Sequence, residues 1–237
     1  MKPIDQSIDV FDRQYLRKGL SAQRRYPNES LIQFLASRYF KLTVSDRKPI
    51  RLLEVGCGSG ANLWMMAKEG FATHGMDSSA KGLDLARQYL GEKWGVTADL
   101  RQGSFTELPY ENNYFDAVVD VVSLQHLNLK DSRSALSEIA RVLKPGGAFF
   151  SYRLSDASVM YQSSGGNWLD AVTVDNIADP SMPLFNNGPT SFWSPGIARG
   201  IYLEIGLDLL SVEQQGRTYE NGAKYVEYLV ITSAKPS

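Results

Sequence analysis

The sequence predicts an α/β domain on a mostly parallel sheet, and three observations carry that expectation. An apolar run of Leu52, Leu53 and Val55 enters glycines at 56, 58 and 60, and a helix-like stretch follows over 61–69. Strand, glycine turn and helix in that order open a βαβ unit, because a Cβ would block both the tight turn and close approach by a ligand. Residues 114–122, YFDAVVDVV, are nearly all apolar, as in a central parallel strand covered on both faces. Beyond the turn, strand-like and helix-like segments continue to alternate.

Length and composition bound the rest. At 237 residues the chain can bury one sizeable core, which fits one α/β domain with additions. A formal net charge of −1 supplies no positive field to hold a polyanion, so no nucleic-acid partner is expected. The single cysteine, Cys57, lies inside the glycine turn, which excludes a disulfide framework and a multi-cysteine metal site; no metal is expected. The first residues lack the apolar stretch of a signal peptide, and no run approaches the roughly 18 apolar residues of a membrane span. A soluble, cytoplasmic protein without a membrane partner is therefore expected, with its oligomeric state open.

Residues 1–49 precede the first strand and predict two helices, over about 6–19 and 28–40. The second carries Leu31, Ile32, Leu35, Tyr39 and Phe40 at helical spacing. These helices either cover a sheet edge or form a lid over a ligand. Tyr15, Arg17, Arg24, Arg25 and Tyr26 offer cations and aromatic rings for the second role.

A second strand over 71–76 ends at Asp77, Ser78 and Ser79. An acid at that tip offers acceptors only and suits the paired hydroxyls of a ribose; the alternative is that it caps the helix over 80–90, which Ser78 or Ser79 can do. A third strand is expected around 96–101, leading to Gly103, Ser104 and Phe105. The fourth is the 114–122 run, followed by Ser123 to Leu127. Asp131 or Ser132 then caps a helix with Ala135, Leu136, Ile139, Ala140 and Leu143 at spacings of three and four. That helix ends at Lys144-Pro145-Gly146-Gly147, which reverses the chain into a strand over 148–152.

Over 154–193 the periodicity disappears among Ser, Gly, Asn, Asp and Pro, yet Tyr161, Trp168, Phe185, Phe192 and Trp193 argue against disorder. A substrate-covering insertion is expected there. A helix over 195–205, a strand over 207–214, a turn at Glu220-Asn221-Gly222 and a strand over 225–233 close the chain.

The spacing Glu54-x-Gly56-x-Gly58-x-Gly60, Asp77, the fourth-strand run and the K-P-G-G turn together resemble the class I S-adenosylmethionine-dependent methyltransferases. The resemblance spans about 50–233. It implies a doubly wound seven-stranded sheet ordered 3-2-1-4-5-7-6 with an antiparallel last strand, and a cofactor seated at the carboxyl ends of the strands. It implies S-adenosylmethionine as cofactor, S-adenosylhomocysteine as product, and a cofactor site of Glu54, Gly56, Gly58, Gly60, Asp77, Ser78, Gly103, Ser104, Phe105, Asp120 and Val121. The family often has an acid where this chain has Ser104, which leaves the adenine contact to the serine or to the backbone and ring of Phe105. A methionyl end brings an ammonium and a sulfonium, so Glu54 has a partner there.

The domain plan is then a helical cap or lid over 1–49 and a methyltransferase domain over 50–237, with the 154–193 insertion covering substrate. Tyr15, Arg25, Tyr26, Tyr152, Trp168 and Trp193 are candidates for substrate or lid contacts. His126 is the candidate base, since His74 falls inside the second strand. The expected acceptor is an oxygen or nitrogen of a small biosynthetic metabolite. A non-catalytic S-adenosylmethionine-binding or scaffold protein and a methyltransferase of macromolecules are the alternatives. An NAD(P)-binding oxidoreductase should show glycine where this chain has Ala61.

Overall fold

The structure, a computed structural model, describes residues 3–237, so residues 1 and 2 of the 1–49 cap lie outside it. Its sheet is made of β1 (Arg51–Val55), β2 (Ala72–Asp77), β3 (Asp99–Gln102), β4 (Phe115–Val121), β5 (Leu143–Leu154), β6 (Asp208–Tyr219) and β7 (Lys224–Ala234). The spatial order is β3-β2-β1-β4-β5-β7-β6, with β1 to β5 parallel and β7 antiparallel to both neighbours. This is the order and sense the resemblance implies.

Helices α1 (Pro3–Lys18), α2 (Glu29–Tyr39), α3 (Val44–Arg47), α4 (Leu63–Lys68), α5 (Ala80–Gln88), α6 (Leu129–Val142), α7 (Val159–Gln162) and α8 (Pro195–Ile205) surround it. The alternation of side chains along each strand divides the core into two layers. Leu53, Val118 and Phe149 pack with Leu136 and Ile139 of α6 and Ile201 and Tyr202 of α8. Leu52, Val119 and Phe150 pack on the other face with Leu31 and Phe34 of α2, Leu63 and Met66 of α4 and Leu83 of α5.

Several boundaries differ from expectation, each for a local reason. The helix after β2 passes into a π-turn, Tyr89–Trp94, closed by Gly95 at φ +61°, so β3 begins later than expected. Helix α6 is capped by Asn128, whose Oδ1 accepts from Asp131 N at 2.8 Å, and not by Asp131 or Ser132. The K-P-G-G stretch is not a free turn. Leu143 already pairs with Phe115 and Ala148 with Ala117, so Lys144 to Gly147 form a bulge within β5, pinned by Lys144 Nζ on Asp116 Oδ1 at 2.7 Å.

The 154–193 stretch is ordered around a small core that it shares with Val226 of β7, in which Leu154, Met160, Val174, Ile177 and Phe192 are buried. A two-residue ribbon, Thr173–Val174 with Thr190–Ser191, ties its middle to its far end.

Candidate active site

Construction of the cavity starts at the glycine turn. Gly56 sits at φ +70° and Gly58 at φ +49°, conformations that L side chains rarely adopt. A Cβ on Gly56 would stand 2.2 Å from the Ser123 side chain, so glycine here lets the turn after β1 approach the turn after β4. A Cβ on Gly58 would instead meet Tyr15 Oη at 2.7 Å. Glycine there makes room for the helical cap.

These turns enclose a cavity of about 360 Å³ at the carboxyl ends of β1, β2 and β4. Open α/β sheets bind ligands in this place. Glu54, Gly56, Asp77, Ser78, Phe105 and Val121 line it, from successive strand ends. Phe11, Gln14 and Tyr15 of α1, Gln23 and Arg24 after it, and Leu184 and Asn187 of the insertion close it from outside.

Asp77 holds the turn as well as facing the cavity. Its Oδ2 accepts from Gly58 N and its Oδ1 from Ser79 N, both at 2.8 Å. Ser79, not Asp77, caps α5 by accepting from Gly82 N. A carboxylate oxygen has more than one acceptor site, so each keeps capacity for a further donor. Burial raises the Asp77 carboxyl against those two amide bonds.

Glu54 is 2% exposed. Its Oε1 accepts from Asn62 Nδ2, whereas Oε2 is buried without a protein partner. Burial pushes its pKa up to about 8, opposed by the Asn62 hydrogen bond and the Arg24 charge. Tyr15 Oη is likewise buried and unpartnered, and burial raises its pKa. A buried polar atom left without a partner calls for one. An acid with one unpartnered oxygen, an arginine and the Asp77 carboxylate thus line one cavity.

The turn after β4 forms the remaining wall. Val122 sits at φ +60°, which is strained for a β-branched residue. Asp120 holds this turn from behind, since Oδ1 accepts from Ser123 N and Leu124 N and Oδ2 accepts from Ser151 Oγ. Beyond it, His126 is 8% exposed and lines the cavity. Its Nδ1 lies 2.8 Å from the Pro189 carbonyl oxygen, and its ring meets Phe11 edge-on at 5.1 Å. A carbonyl only accepts, so Nδ1 carries the proton and Nε2 is the basic nitrogen of the neutral ring. Burial lowers the His126 pKa, which keeps that nitrogen unprotonated near neutrality.

Other candidates stand elsewhere. Asp120 does not reach the cavity: it is the register partner of Val55, so its side chain lies on the opposite sheet face from Glu54. Gly60 backs onto Ala86, Gly103 onto Met76, and Ser104 Oγ pairs with Thr106. Arg25 contributes its carbonyl to Trp64 Nε1 and Tyr89 Oη, while Tyr26 is exposed against Trp64. Tyr152 stacks on Tyr228 at 4.5 Å, Trp168 is exposed beside Tyr161, and Trp193 is fully buried. None of these lines the cavity.

Phe11, Gln14, Gln125, Leu184 and Asn187 were not singled out by sequence. They carry no motif, and only the fold brings α1 and the insertion to one opening. Among the described residues no group of three or more His, Cys, Asp or Glu could hold a metal, and no helix is long and apolar enough to cross a membrane.

A family model described as a methyltransferase domain matches residues 53–151, which hold the glycine turn, Asp77 and all of β4. The chain carries the class I S-adenosylmethionine-dependent methyltransferase fold. The chain is 36% identical over 96 residues to a demethylmenaquinone methyltransferase of Tropheryma whipplei, covering 40% of this chain and 38% of that protein. A ubiquinone biosynthesis O-methyltransferase of Klebsiella pneumoniae is 32% identical over 146 residues, 61% of this chain and 56% of its own length. A methyltransferase structure from Methanosarcina mazei superposes with a TM-score of 0.67 at 18% identity, over 81% of this chain and 96% of that one. The chain spans 38% of the length of the first curated relative it matches.

Proposed function

We propose that this protein transfers a methyl group from S-adenosylmethionine to an oxygen or nitrogen of a small metabolite. The observation that carries the reading is the cavity itself. It joins an unpaired buried acid, an acid at the β2 tip and a basic imidazole nitrogen, under a cover made by α1 and the insertion. Relatives named for quinone methylation and a near-neutral chain support a small acceptor over a polyanion.

Glu54 and Arg24 would hold the methionyl ammonium and carboxylate, Asp77 the ribose hydroxyls, and Phe105 the adenine face. The sulfonium supplies an already activated methyl. The chain therefore has to position the acceptor, exclude water and take a proton. Orientation is worth roughly 7–11 kcal/mol in well-oriented intramolecular reactions. His126 Nε2 would take the proton of a hydroxyl or ammonium acceptor, and the Phe11 edge keeps its surroundings apolar.

Titration calorimetry with S-adenosylmethionine, followed by a methylation assay on metabolite pools, tests the reading. Binding without any methylated product supports a non-catalytic binder instead. With an acceptor in hand, His126→Ala should lower turnover by about 10²–10⁴-fold while cofactor affinity is retained. Normal turnover in that variant would remove His126 from the mechanism.

A further inference from the structure

Arg153 is a buried cation that the cavity does not use. It stands near the end of β5, 1% exposed, with its guanidinium carbon 3.3 Å from the Trp193 ring centroid. Among the described residues it makes no salt bridge. Its Nη2 donates to Ser191 Oγ at 2.9 Å, and its Nε has no partner. Burial disfavours its charge, opposed by the buried Asp120 carboxylate, with which it forms no direct ion pair, so what the position gains is geometry.

The bond has a direction. A guanidinium only donates, so Ser191 Oγ receives from Arg153 and its own proton must go onward. It goes to the Gln125 carbonyl at 3.0 Å. The Gln125 side chain is held in turn, its Oε1 accepting from Leu154 N at 3.2 Å. The next residue is His126, and the carbonyl that takes its Nδ1 proton belongs to Pro189, two residues before Ser191. One extended segment thus grips the turn after β4 at two points, the Gln125 backbone and the His126 ring.

We propose that Arg153 and Ser191 are positioning residues for His126. They hold segment 189–191 in register with turn 124–126, so that Pro189 O meets Nδ1 and Nε2 remains the basic nitrogen. Asp120 restrains the other side of the same turn through the Ser123 and Leu124 amides. The inference rests on reading His126 as the base, but its geometry can be tested without an acceptor.

The chain has two histidines, His74 and His126, so ¹⁵N spectra of the imidazoles can be assigned by comparison with His126→Ala. In wild type, His126 should be in the Nδ1–H form. Ser191→Ala removes the relay from Arg153, and the spectrum should change to a mixture of both tautomers, with S-adenosylhomocysteine affinity unchanged. Ser191→Thr should restore the wild-type pattern. With an acceptor, Ser191→Ala should also lower turnover, by roughly tenfold or more, since small misplacements of reacting groups are costly. Arg153→Gln should act in the same direction, and Ser191→Ala decides the matter if that variant does not fold. An unchanged tautomer in Ser191→Ala overturns the clamp, whereas normal turnover in His126→Ala overturns the base reading; the two failures are read by different measurements.

Discussion

At the scale of single residues, the proposed role of Glu54 predicts that ligand binding is coupled to protons. Its folded pKa of about 8 lies above the ordinary 4.5, because burial disfavours the charged form more than Asn62 and Arg24 favour it. Between those values the native state holds a proton that the unfolded chain has released, so this group's contribution to stability declines as pH rises from about 4.5 to 8. A bound ammonium would favour the carboxylate. S-adenosylhomocysteine binding at pH 7 should therefore release protons, and affinity should increase toward pH 8. Calorimetry in two buffers of different ionisation enthalpy checks this, and Glu54→Gln should abolish the buffer dependence.

Asp77 makes a second residue-scale prediction. Because its carboxylate already receives Gly58 N and Ser79 N, Asp77→Ala should loosen the turn and, on the proposed reading, remove the ribose acceptor as well. Cofactor affinity should fall by about 1.5–3 kcal/mol, the range for hydrogen bonds to a charged group. Wild-type affinity in that variant would show the ribose is held elsewhere. Gly56→Ala should be worse, since its Cβ would collide with Ser123.

At the scale of elements, the cover over the cavity is two segments far apart in sequence. Gln14 Nε2 on α1 donates to Asn187 Oδ1 on the insertion, and Phe11 packs on His126. Both segments also touch the base of the site, α1 through Ser79 Oγ donating to Asp12 and the insertion through Pro189. A ligand that fills the cavity should therefore slow hydrogen exchange in both α1 and 184–190. Equal exchange with and without S-adenosylhomocysteine would make them structural additions with no part in closure.

At the scale of the whole molecule, the two core layers separate stability from function. Phe149 and Phe150 are adjacent on β5, point to opposite faces and are both fully buried, yet neither lines the cavity. Phe149→Ala should cost about 3–5 kcal/mol in urea unfolding, with cofactor affinity unchanged while the protein is folded. His126 adds a pH term of opposite sign to that of Glu54. Its folded pKa is lowered by burial, so stability is lost as pH falls through the ordinary histidine value near 6.5.

The sequence alone determined the strands, their glycine turn and the acids at the strand ends, because these depend on local chemistry. A β1–glycine–α4 unit needs glycines where φ is positive, and buried parallel strands need continuous apolar runs. Glu54 and Asp77 were legible for the same reason: each stands at a tip that the sheet geometry places over its carboxyl edge. Which side chains face the cavity was decided by register and packing. Asp120 lies one position from the register partner of Glu54, so it points away and restrains a turn. Trp193, conspicuous in sequence, is core because its amide donates to the Leu154 carbonyl at the end of β5 and its ring lies under the Arg153 guanidinium. Phe11, Gln14, Leu184 and Asn187 carry no local signal, since their role arises only when two segments about 170 residues apart close on one opening.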